Sequence, residues 1–333
     1  MHRRQRERIV ILTSIANHVI ARRKTYGVAS WLLCIMRTAR VLLYFREHQD
    51  LCRLPVYRNY VAQPGNDDLF HHLSHRHYLA KTFGTAERVR MVLTHYRYED
   101  TSFDDIYKRH VYLKGGLRLW QQSVNGVDAD IVLTMATRNN AEGDLTVSLR
   151  MDGHKLHRVS FSWVDGALAG HPGTIMPYIS RNQGHGPEEE AAFARFNQAF
   201  PNNSPSYFCI AAMQGIAEGI GATHFVAVSN DAQVASRLDE GKQFANAYDG
   251  FWTILGGAPL PGGQAFAVPV PFYVKPLSGL ASKHRKRAAM RREHWRDIGD
   301  TVSATIYSHR VFQQAAIART PAATSAEEAS SEA

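Results

Sequence analysis

Residues 117–137 read LRLWQQSVNGVDADIVLTMAT, which is two strand-like runs joined by Asn125-Gly126. Asn-Gly between alternating apolar runs predicts a β-hairpin, because both residues tolerate the positive φ angles of a two-residue turn. Residues 144–166, DLTVSLRMDGHKLHRVSFSWVDG, repeat this pattern around Asp152-Gly153. With a further run from Thr174 to Arg181, this part of the chain predicts an antiparallel meander of about four or five strands.

The pattern changes from strands to helices after the meander. Helices are predicted at about 187–200 and 205–220, and HFVAVS, residues 224–229, is typical of a buried parallel strand. A helix that ends at Gly256-Gly257 and the run AFAVPVPF complete the series. A meander that continues into β-α-β predicts an α+β fold, in which helices pack on a mixed, mainly antiparallel sheet behind a helical N-terminal extension.

Three regions are expected along the 333 residues. Residues 1–65 have helical periodicity and a basic composition, and they form the N-terminal extension. Residues 66–298 hold the α+β domain. Residues 299–333, which include ARTPAATSAEEASSEA, form a C-terminal tail that is expected to be largely disordered because it is low in hydrophobicity.

The N-terminal apolar stretches do not resemble targeting or membrane-spanning segments. The first is broken by Asn17 and His18, and the second by Arg37 and Arg40. Three cysteines without CxxC spacing argue against a disulfide framework and favour a reducing cytosol. We therefore expect a cytoplasmic protein, with peripheral association at the inner membrane as a further expectation, because both basic stretches can form helices that lie on a membrane surface.

The net charge of +9 is concentrated in two segments. Residues 1–50 hold ten Lys and Arg against three Asp and Glu, and residues 279–296 hold seven against one. Such patches favour an anionic membrane surface or a nucleic acid backbone, and solvated helix faces are the alternative. No helix-turn-helix, RNP or zinc-finger pattern supports sequence-specific recognition of nucleic acid. The candidate lipid- or polyanion-binding residues are Lys283, Arg285, Lys286, Arg287, Arg291 and Arg292.

The stretch RNQGHG, residues 181–186, lies between the last run of the meander and a predicted helix. Arg181-x-x-Gly184-x-Gly186 is similar to the (Arg/Gln)-x-x-Gly-x-(Gly/Ala) loop with which acyltransferases of the GNAT superfamily bind the pyrophosphate of coenzyme A. Glycines allow close approach, and the N–H groups at a helix N-terminus point at the phosphate. Arg181, Gln183, Gly184 and Gly186 are therefore the candidate residues for a coenzyme A thioester. The alternative is a turn without a ligand.

Tyr248 is the candidate general acid. It lies before an apolar-Gly turn, in a place similar to that of the GNAT tyrosine that protonates the leaving thiolate. Glu142 and Asp249 join it as catalytic candidates, and His157 and His224 are further candidates for the general base. The alternative is that Tyr248 and its aromatic neighbours are core residues.

No metal site is expected. His71 and His75 are one helical turn apart, but HExxH spacing is missing and Arg76 lies among the histidines. Cys209 lies in the apolar stretch YFCIAAM, which favours a buried small side chain over a nucleophile.

An ordered set of short pieces makes the chain resemble the VirK/YbjX proteins of Gram-negative bacteria from about residue 75 to residue 292. In chain order the pieces are Tyr78-Leu79, His95-Tyr96, Glu142-Gly143-Asp144-Leu145, VSFSW, Arg181-x-Gln183-Gly184, IAEGIGATHFVAVS, Tyr248-Asp249-x-Phe251-Trp252 and the Lys/Arg run. The chain departs from the family in two places. FPNNSPSYF replaces a Gly-Leu-Arg-Pro-Lys-like element, and SNDAQV replaces a segment that often carries a His.

The resemblance implies a virulence-associated cytoplasmic protein with a biochemically uncharacterised domain. It also implies a link to surface display of virulence proteins and to antimicrobial-peptide resistance. We therefore expect an acyltransferase that moves an acyl group from coenzyme A or an acyl carrier to an envelope-related amine or hydroxyl. One alternative is a non-catalytic peripheral membrane factor that aids surface display of virulence proteins. Another is a nucleic-acid-binding regulator.

Overall fold

One large sheet and its packed helices make up most of the protein. The computed structural model describes residues 2–23, 27–63, 66, 68–136, 140–184, 186–235 and 248–311. Within these residues the helices are α1 (His2–Arg23), α2 (Val28–Thr38), α3 (Phe45–Arg53), α4 (His71–Ser74), α5 (Thr85–Ser102), α6 (Asp105–Tyr112), α7 (Glu190–Ala199), α8 (Pro205–Ile220), α9 (Asp249–Ile254) and α10 (Ser282–Ser308). The strands are β1 (Leu117–Val124), β2 (Val127–Met135), β3 (Leu145–Met151), β4 (His154–Asp165), β5 (Ile175–Gly184), β6 (His224–Val228), β7 (Ala258–Pro259) and β8 (Ala265–Pro269).

The strands form a single sheet in the order β1-β2-β3-β4-β5-β6-β8-β7. Neighbouring strands are antiparallel except for β5 and β6, which run parallel. The sheet is therefore mixed and mainly antiparallel. With the helices packed on it and a helical N-terminal region, this confirms the predicted α+β fold.

The two hairpin turns form where the sequence predicts them. Asn125 and Gly126 have φ angles of 53° and 78°, and Asp152 and Gly153 have φ angles of 49° and 83°. Positive φ at both central residues is the requirement of a type I′ turn, whose twist matches that of the flanking strands. The turns therefore hold β1 to β2 and β3 to β4 as antiparallel neighbours.

The core lies on both faces of the central strands. Residues 159–164 of β4 are buried one after another, which requires cover on each face of the sheet. Helix α5 packs against β4, α8 packs against β3, β4 and β5, and α10 packs along α8. Helix α10 continues past residue 299, where the C-terminal tail was predicted to begin, and ends at Ser308. Residues 312–333 of that predicted tail lie outside the described residues.

The N-terminal region is helical, as predicted from its periodicity. Helix α1 packs against α2 and α3, and α2 and α3 pack against α4 and α5 respectively. Among the described residues, one helical segment, Val28–Arg53, is long and apolar enough to cross a membrane. Helices from the core of soluble proteins and signal sequences pass the same test of length and composition.

Candidate functional site

The parallel pair β5 and β6 separates soon after it forms. Only two residue pairs are in register, Tyr178 with Val226 and Ile179 with Ala227. On the other side of β5, the pairing with β4 skips Ser180, which is therefore the extra residue of a β-bulge. A bulge bends its strand, and pairing with β6 ends at this point while β5 continues to Gly184. The β5 edge beyond the bulge thus has backbone groups that β6 does not pair.

Two side chains take up these backbone groups. The Gln233 amide donates a hydrogen bond from Nε2 to the Ser180 carbonyl at 3.3 Å. The Asn182 N–H donates to the Tyr248 hydroxyl oxygen at 3.3 Å. All four residues are buried, so these contacts satisfy polar groups that would otherwise lie unpaired inside the protein. Side chains thus replace a neighbouring strand along this edge.

A buried ion pair lies beside the same edge. Arg181 Nη1 is 3.4 Å from Glu142 Oε2, and Gln233 Nε2 donates to Glu142 Oε1 at 2.8 Å. The Ser180 hydroxyl donates to the Glu142 carbonyl. Burial lowers the pKa of Arg181, and the Glu142 carboxylate opposes that shift. The cluster therefore joins three of the predicted site residues, Glu142, Arg181 and Tyr248, around the end of the β5–β6 pair.

Tyr248 is fully buried in this cluster. Burial raises the pKa of its phenol to about 12, and the Glu142 charge adds to the rise. Hydrogen bonds from the Asn182 backbone and the Gln183 side chain, together with the Arg181 charge, act in the opposite direction. The hydroxyl therefore stays protonated at neutral pH and can act as a proton donor.

The other three candidate acid–base residues have different positions. His157 Nε2 is 2.7 Å from Asn182 Oδ1, so His157 fixes the Asn182 side chain next to the cluster. Asp249 Oδ1 accepts a hydrogen bond from the Asn230 N–H at 2.7 Å, and it fixes the turn that follows β6. His224 lies at the opposite end of β6, with its ring stacked on His171 at 4.8 Å. The structure therefore does not bring His224 to the cluster.

The RNQGHG stretch is mostly strand and only briefly a connection. Residues 181–184 belong to β5, and His185 lies outside the described residues. The Arg181 side chain is buried against Glu142, so it does not face a ligand in a surface loop. At Gly186 the carboxylate of Glu188 folds back against the backbone, in the region where a bound anion was expected. The stretch therefore differs from the predicted phosphate loop, and Gly184 and Gly186 flank its short exposed end.

A second buried network surrounds Asp144, two residues from Glu142. The Asp144 carboxylate accepts hydrogen bonds from His71, Tyr78, Tyr96 and Ser162. Burial would raise the pKa of Asp144, but His95, His71 and these hydrogen bonds hold it well below its ordinary value. Gly143 joins the two networks with a φ of 131°, and a Cβ there would lie 2.8 Å from the backbone of Phe161. The Glu-Gly-Asp piece therefore ties the site to the core.

One family model matches most of the chain. Residues 35–303 match the model of a family described as a protein of unknown function, DUF535. The chain belongs to the DUF535 family. This family includes the VirK/YbjX proteins that the chain resembles in sequence. No match is found among curated proteins or among solved structures.

In this DUF535 protein two of the histidines near residue 71 contact buried carboxylates. His71 contacts Asp144, whereas His75 contacts Asp68 at 2.7 Å, so the two histidines, which the sequence places one helical turn apart, have different partners. Among the described residues, no group of three or more His, Cys, Asp or Glu side chains is arranged to hold a metal. Cys209 is buried, and burial raises the pKa of its thiol to about 12, as expected for a packing residue.

The basic run of the DUF535 domain begins helix α10. Lys283, Arg285, Lys286 and Arg287 are exposed on the first turns of this helix. The other two candidates are partly covered, because Arg292 donates to the Lys275 carbonyl and Arg291 lies over the Trp295 ring at 6.0 Å. The run therefore presents one cationic end and one end that packs on the domain.

Sequence reasoning missed three residues of the site, namely Ser180, Asn182 and Gln233. The first two owe their roles to the bulge, which depends on how β4 and β5 pair and has no local motif. Gln233 lies in SNDAQV, which has no helical or strand periodicity. The departure of SNDAQV from the family's usual segment is the sequence signal that could have drawn attention to Gln233.

Proposed function

We propose that this DUF535 protein is an acyltransferase that uses the thioester of a phosphopantetheine arm, as carried by coenzyme A or an acyl carrier protein. The observation that carries the proposal is the bulged edge of β5. Beyond Ile179 this edge offers the Ser180 carbonyl and the Asn182 N–H to side chains instead of to a strand. The envelope-related acceptor, an amine or a hydroxyl, rests on the resemblance to the VirK/YbjX proteins.

A pantetheine arm fits this edge by its chemistry. It carries amide groups in an extended chain, and an extended chain can add to a strand edge through main-chain hydrogen bonds. The β5 edge supplies one acceptor and one donor, two residues apart, at Ser180 and Asn182. Gln233 and Tyr248, which now bind these groups, would exchange one hydrogen bond each for the arm, so binding would leave no β5 group unpaired.

The acid–base roles follow from the buried cluster. When bound, the thioester supplies an activated acyl carbon and a thiolate leaving group. Tyr248 donates its hydroxyl proton to the leaving sulfur, which suits a phenol with a pKa of about 12 that stays protonated at neutral pH. Glu142 takes the proton that the attacking amine or hydroxyl loses. Arg181 positions Glu142 through their ion pair, and Asp249 positions the segment that carries Tyr248.

Arg158, and not Arg181, would contact the phosphate of the arm. Arg181 does not fit a phosphate ligand, because it is buried and paired with Glu142. Arg158 pairs across the sheet with Gln183, next to Gly184 at the end of β5. It is partly exposed, and no carboxylate among the described residues pairs with it. A cation at this end of the strand complements the phosphate of the arm.

The test is release of free thiol in the presence of an envelope lipid extract. The donors are acetyl-CoA, palmitoyl-CoA and an acylated acyl carrier protein. Tyr248→Phe should keep the fold, since it retains the ring that packs near Trp252, and should lower the rate at least about 100-fold. Tyr207→Phe is the matched control, because that ring stacks on Trp295 away from the cluster. Equal rates in the two variants, or no release from any donor, would refute the proposal.

A further inference from the structure

The outer face of α2 and of the 3₁₀ turn after it (Ala39–Tyr44) is apolar and exposed. The exposed side chains are Val28, Leu32, Leu33, Met36, Leu42 and Leu43, with Leu43 79% and Met36 68% exposed. Val28, Leu32 and Met36 are spaced four residues apart, so they form one stripe along the helix. Single exposed apolar residues are ordinary, but a contiguous apolar face marks an interaction surface.

The same segment is anchored to the protein by its inner face. Cys34, Thr38 and Val41 are buried, and Trp31 Nε1 donates to the Val19 carbonyl of α1 at 2.9 Å. Only 17% of the most apolar 18-residue window of Val28–Arg53 is buried. The helix is therefore apolar on both sides, and only one side is covered by the domain.

A basic cavity opens beside this apolar face. Its volume is about 330 Å³, and its lining includes Arg22, Ser30, Leu33, Arg37, His75 and Arg76. Arg22 is neutralised by Asp68 at 3.1 Å. Among the described residues, no carboxylate pairs with Arg37 or Arg76. Leu33 belongs to both the cavity and the apolar face, so the two features are continuous.

Arg88 and Arg40 add positive charge near Arg37. Burial lowers the pKa of Arg88, and the charges of Arg40 and Arg37 lower it further, so each of these two guanidinium groups lies close enough to Arg88 to repel it. Arg88 Nη1 is buried without a hydrogen-bond partner among the described residues. Among the described residues, the guanidinium groups around α2 therefore outnumber their carboxylate partners, and this excess of positive charge attracts an anion.

We propose that α2, the following 3₁₀ turn and the adjacent cavity dock on the surface of an anionic phospholipid bilayer. The cavity takes a lipid phosphate between Arg37 and Arg76, while Leu32, Leu33 and Met36 enter the acyl region. An anionic bilayer attracts basic residues to its phosphates and takes up an adjacent apolar stripe at the boundary of the acyl region. This inference is independent of the proposed acyltransferase activity, since none of these residues belongs to the β5 cluster.

The geometry favours lying on the bilayer over spanning it. Length does not decide between the two, because the helical segment Val28–Arg53 has 26 residues and a spanning helix needs about 20. The buried side of the segment, with Cys34, Thr38 and Val41, would have to leave the domain before it could cross. Arg37 and Arg76 of the cavity, which no carboxylate among the described residues pairs with, also complement lipid phosphates better than they complement a second copy of this basic face.

The test is flotation of the full chain with vesicles of phosphatidylcholine alone and of phosphatidylcholine mixed with phosphatidylglycerol. We expect binding to the mixed vesicles only. The pair Arg37→Gln and Arg76→Gln should weaken it about 25-fold, and the pair Leu32→Ser and Met36→Ser should weaken it at least tenfold. The matched control is Lys114→Gln with Lys155→Gln, which removes two exposed charges outside α2 and its cavity and should have little effect.

Three results would overturn the docking surface. They are absence of binding to the mixed vesicles, binding that survives both α2-side pairs, and equal loss in the Lys114→Gln, Lys155→Gln control. Self-association in sedimentation that is abolished by Leu32→Ser and Met36→Ser, without vesicle binding, would instead assign the face to a second copy of the chain. Circular dichroism of each variant checks that helix content is retained.

Discussion

Glu99 lies on α5, and its carboxyl group is enclosed by aromatic side chains of α6 and β4. It accepts hydrogen bonds from Trp163 Nε1 at 2.6 Å, Tyr107 at 3.0 Å and Tyr112 at 3.1 Å. Burial raises its pKa to about 7 from an ordinary value of 4.5, against the effect of these hydrogen bonds. Between these values the folded protein keeps a proton that the unfolded chain has lost. The free energy of unfolding should therefore fall as the pH rises, by up to about 1.4 kcal/mol per pH unit.

Glu99→Gln should remove this part of the pH dependence, because the amide has no proton to lose. Urea unfolding of the variant and of the parent protein, from about pH 5 to about pH 7, measures it. The free energy of unfolding of the variant, relative to the parent, should rise by about 2 kcal/mol over this range. Parallel curves would mean that Glu99 is ionised in the folded state.

At Gly143 the backbone geometry requires glycine. Its φ is 131°, and an added Cβ would meet the Phe161 backbone at 2.8 Å, where neither chain can move without breaking β3–β4 pairing. Gly143→Ala should therefore lower the free energy of unfolding by more than about 3 kcal/mol. Gly153→Ala is the control, since φ is also positive but the space is open, and it should cost about 1–2 kcal/mol. Equal losses in urea unfolding would contradict the clash.

At the scale of elements, α8 and α10 approach each other through glycines. A Cβ on Gly215 would collide with the Gly299 carbonyl and lie 2.9 Å from Val302, whereas a Cβ on Gly299 would make an ordinary contact of 3.7 Å with the Ala211 carbonyl. Gly215→Ala should therefore destabilise the protein by about 1–3 kcal/mol. Gly299→Ala should be neutral or stabilise it by up to about 1 kcal/mol, through helix propensity. Destabilisation by both changes alike would contradict this packing.

Elements with a local cause were predictable from the sequence. The hairpins followed from Asn125-Gly126 and Asp152-Gly153, because the turn type depends on residues next to each other. The end of β5 was not predictable in this way. RNQG looks like a loop because glycine and polar residues are common there, but pairing with β4 and burial of Arg181 against Glu142 keep it in the sheet. Tertiary contacts outweighed local preference at this strand.

At the scale of the whole molecule, the sequence indicated the α+β class and some of the site residues, but not how they meet. Tyr248 and Glu142 are 106 positions apart by their numbering, and both reach the β5 edge only because β5 and β6 separate after two residue pairs. Ser180 owes its role to the bulge, and Gln233 lies in a segment without helical or strand periodicity, so no local motif marks either residue. The same holds for α2, whose exposed apolar face appears only once the domain covers its other side.

The most direct test of the central claim is calorimetric titration of the full chain with acetyl-CoA, palmitoyl-CoA and an acylated acyl carrier protein. We expect saturable binding of at least one donor, weakened at least tenfold by Arg158→Glu, which reverses the charge at the end of the β5 edge. Lys114→Glu, an exposed change just before β1, which lies four strands away from β5 in the sheet, should leave binding unaltered. Absence of binding to all three donors, or equal weakening by the two substitutions, would contradict a phosphopantetheine site at the separated strands.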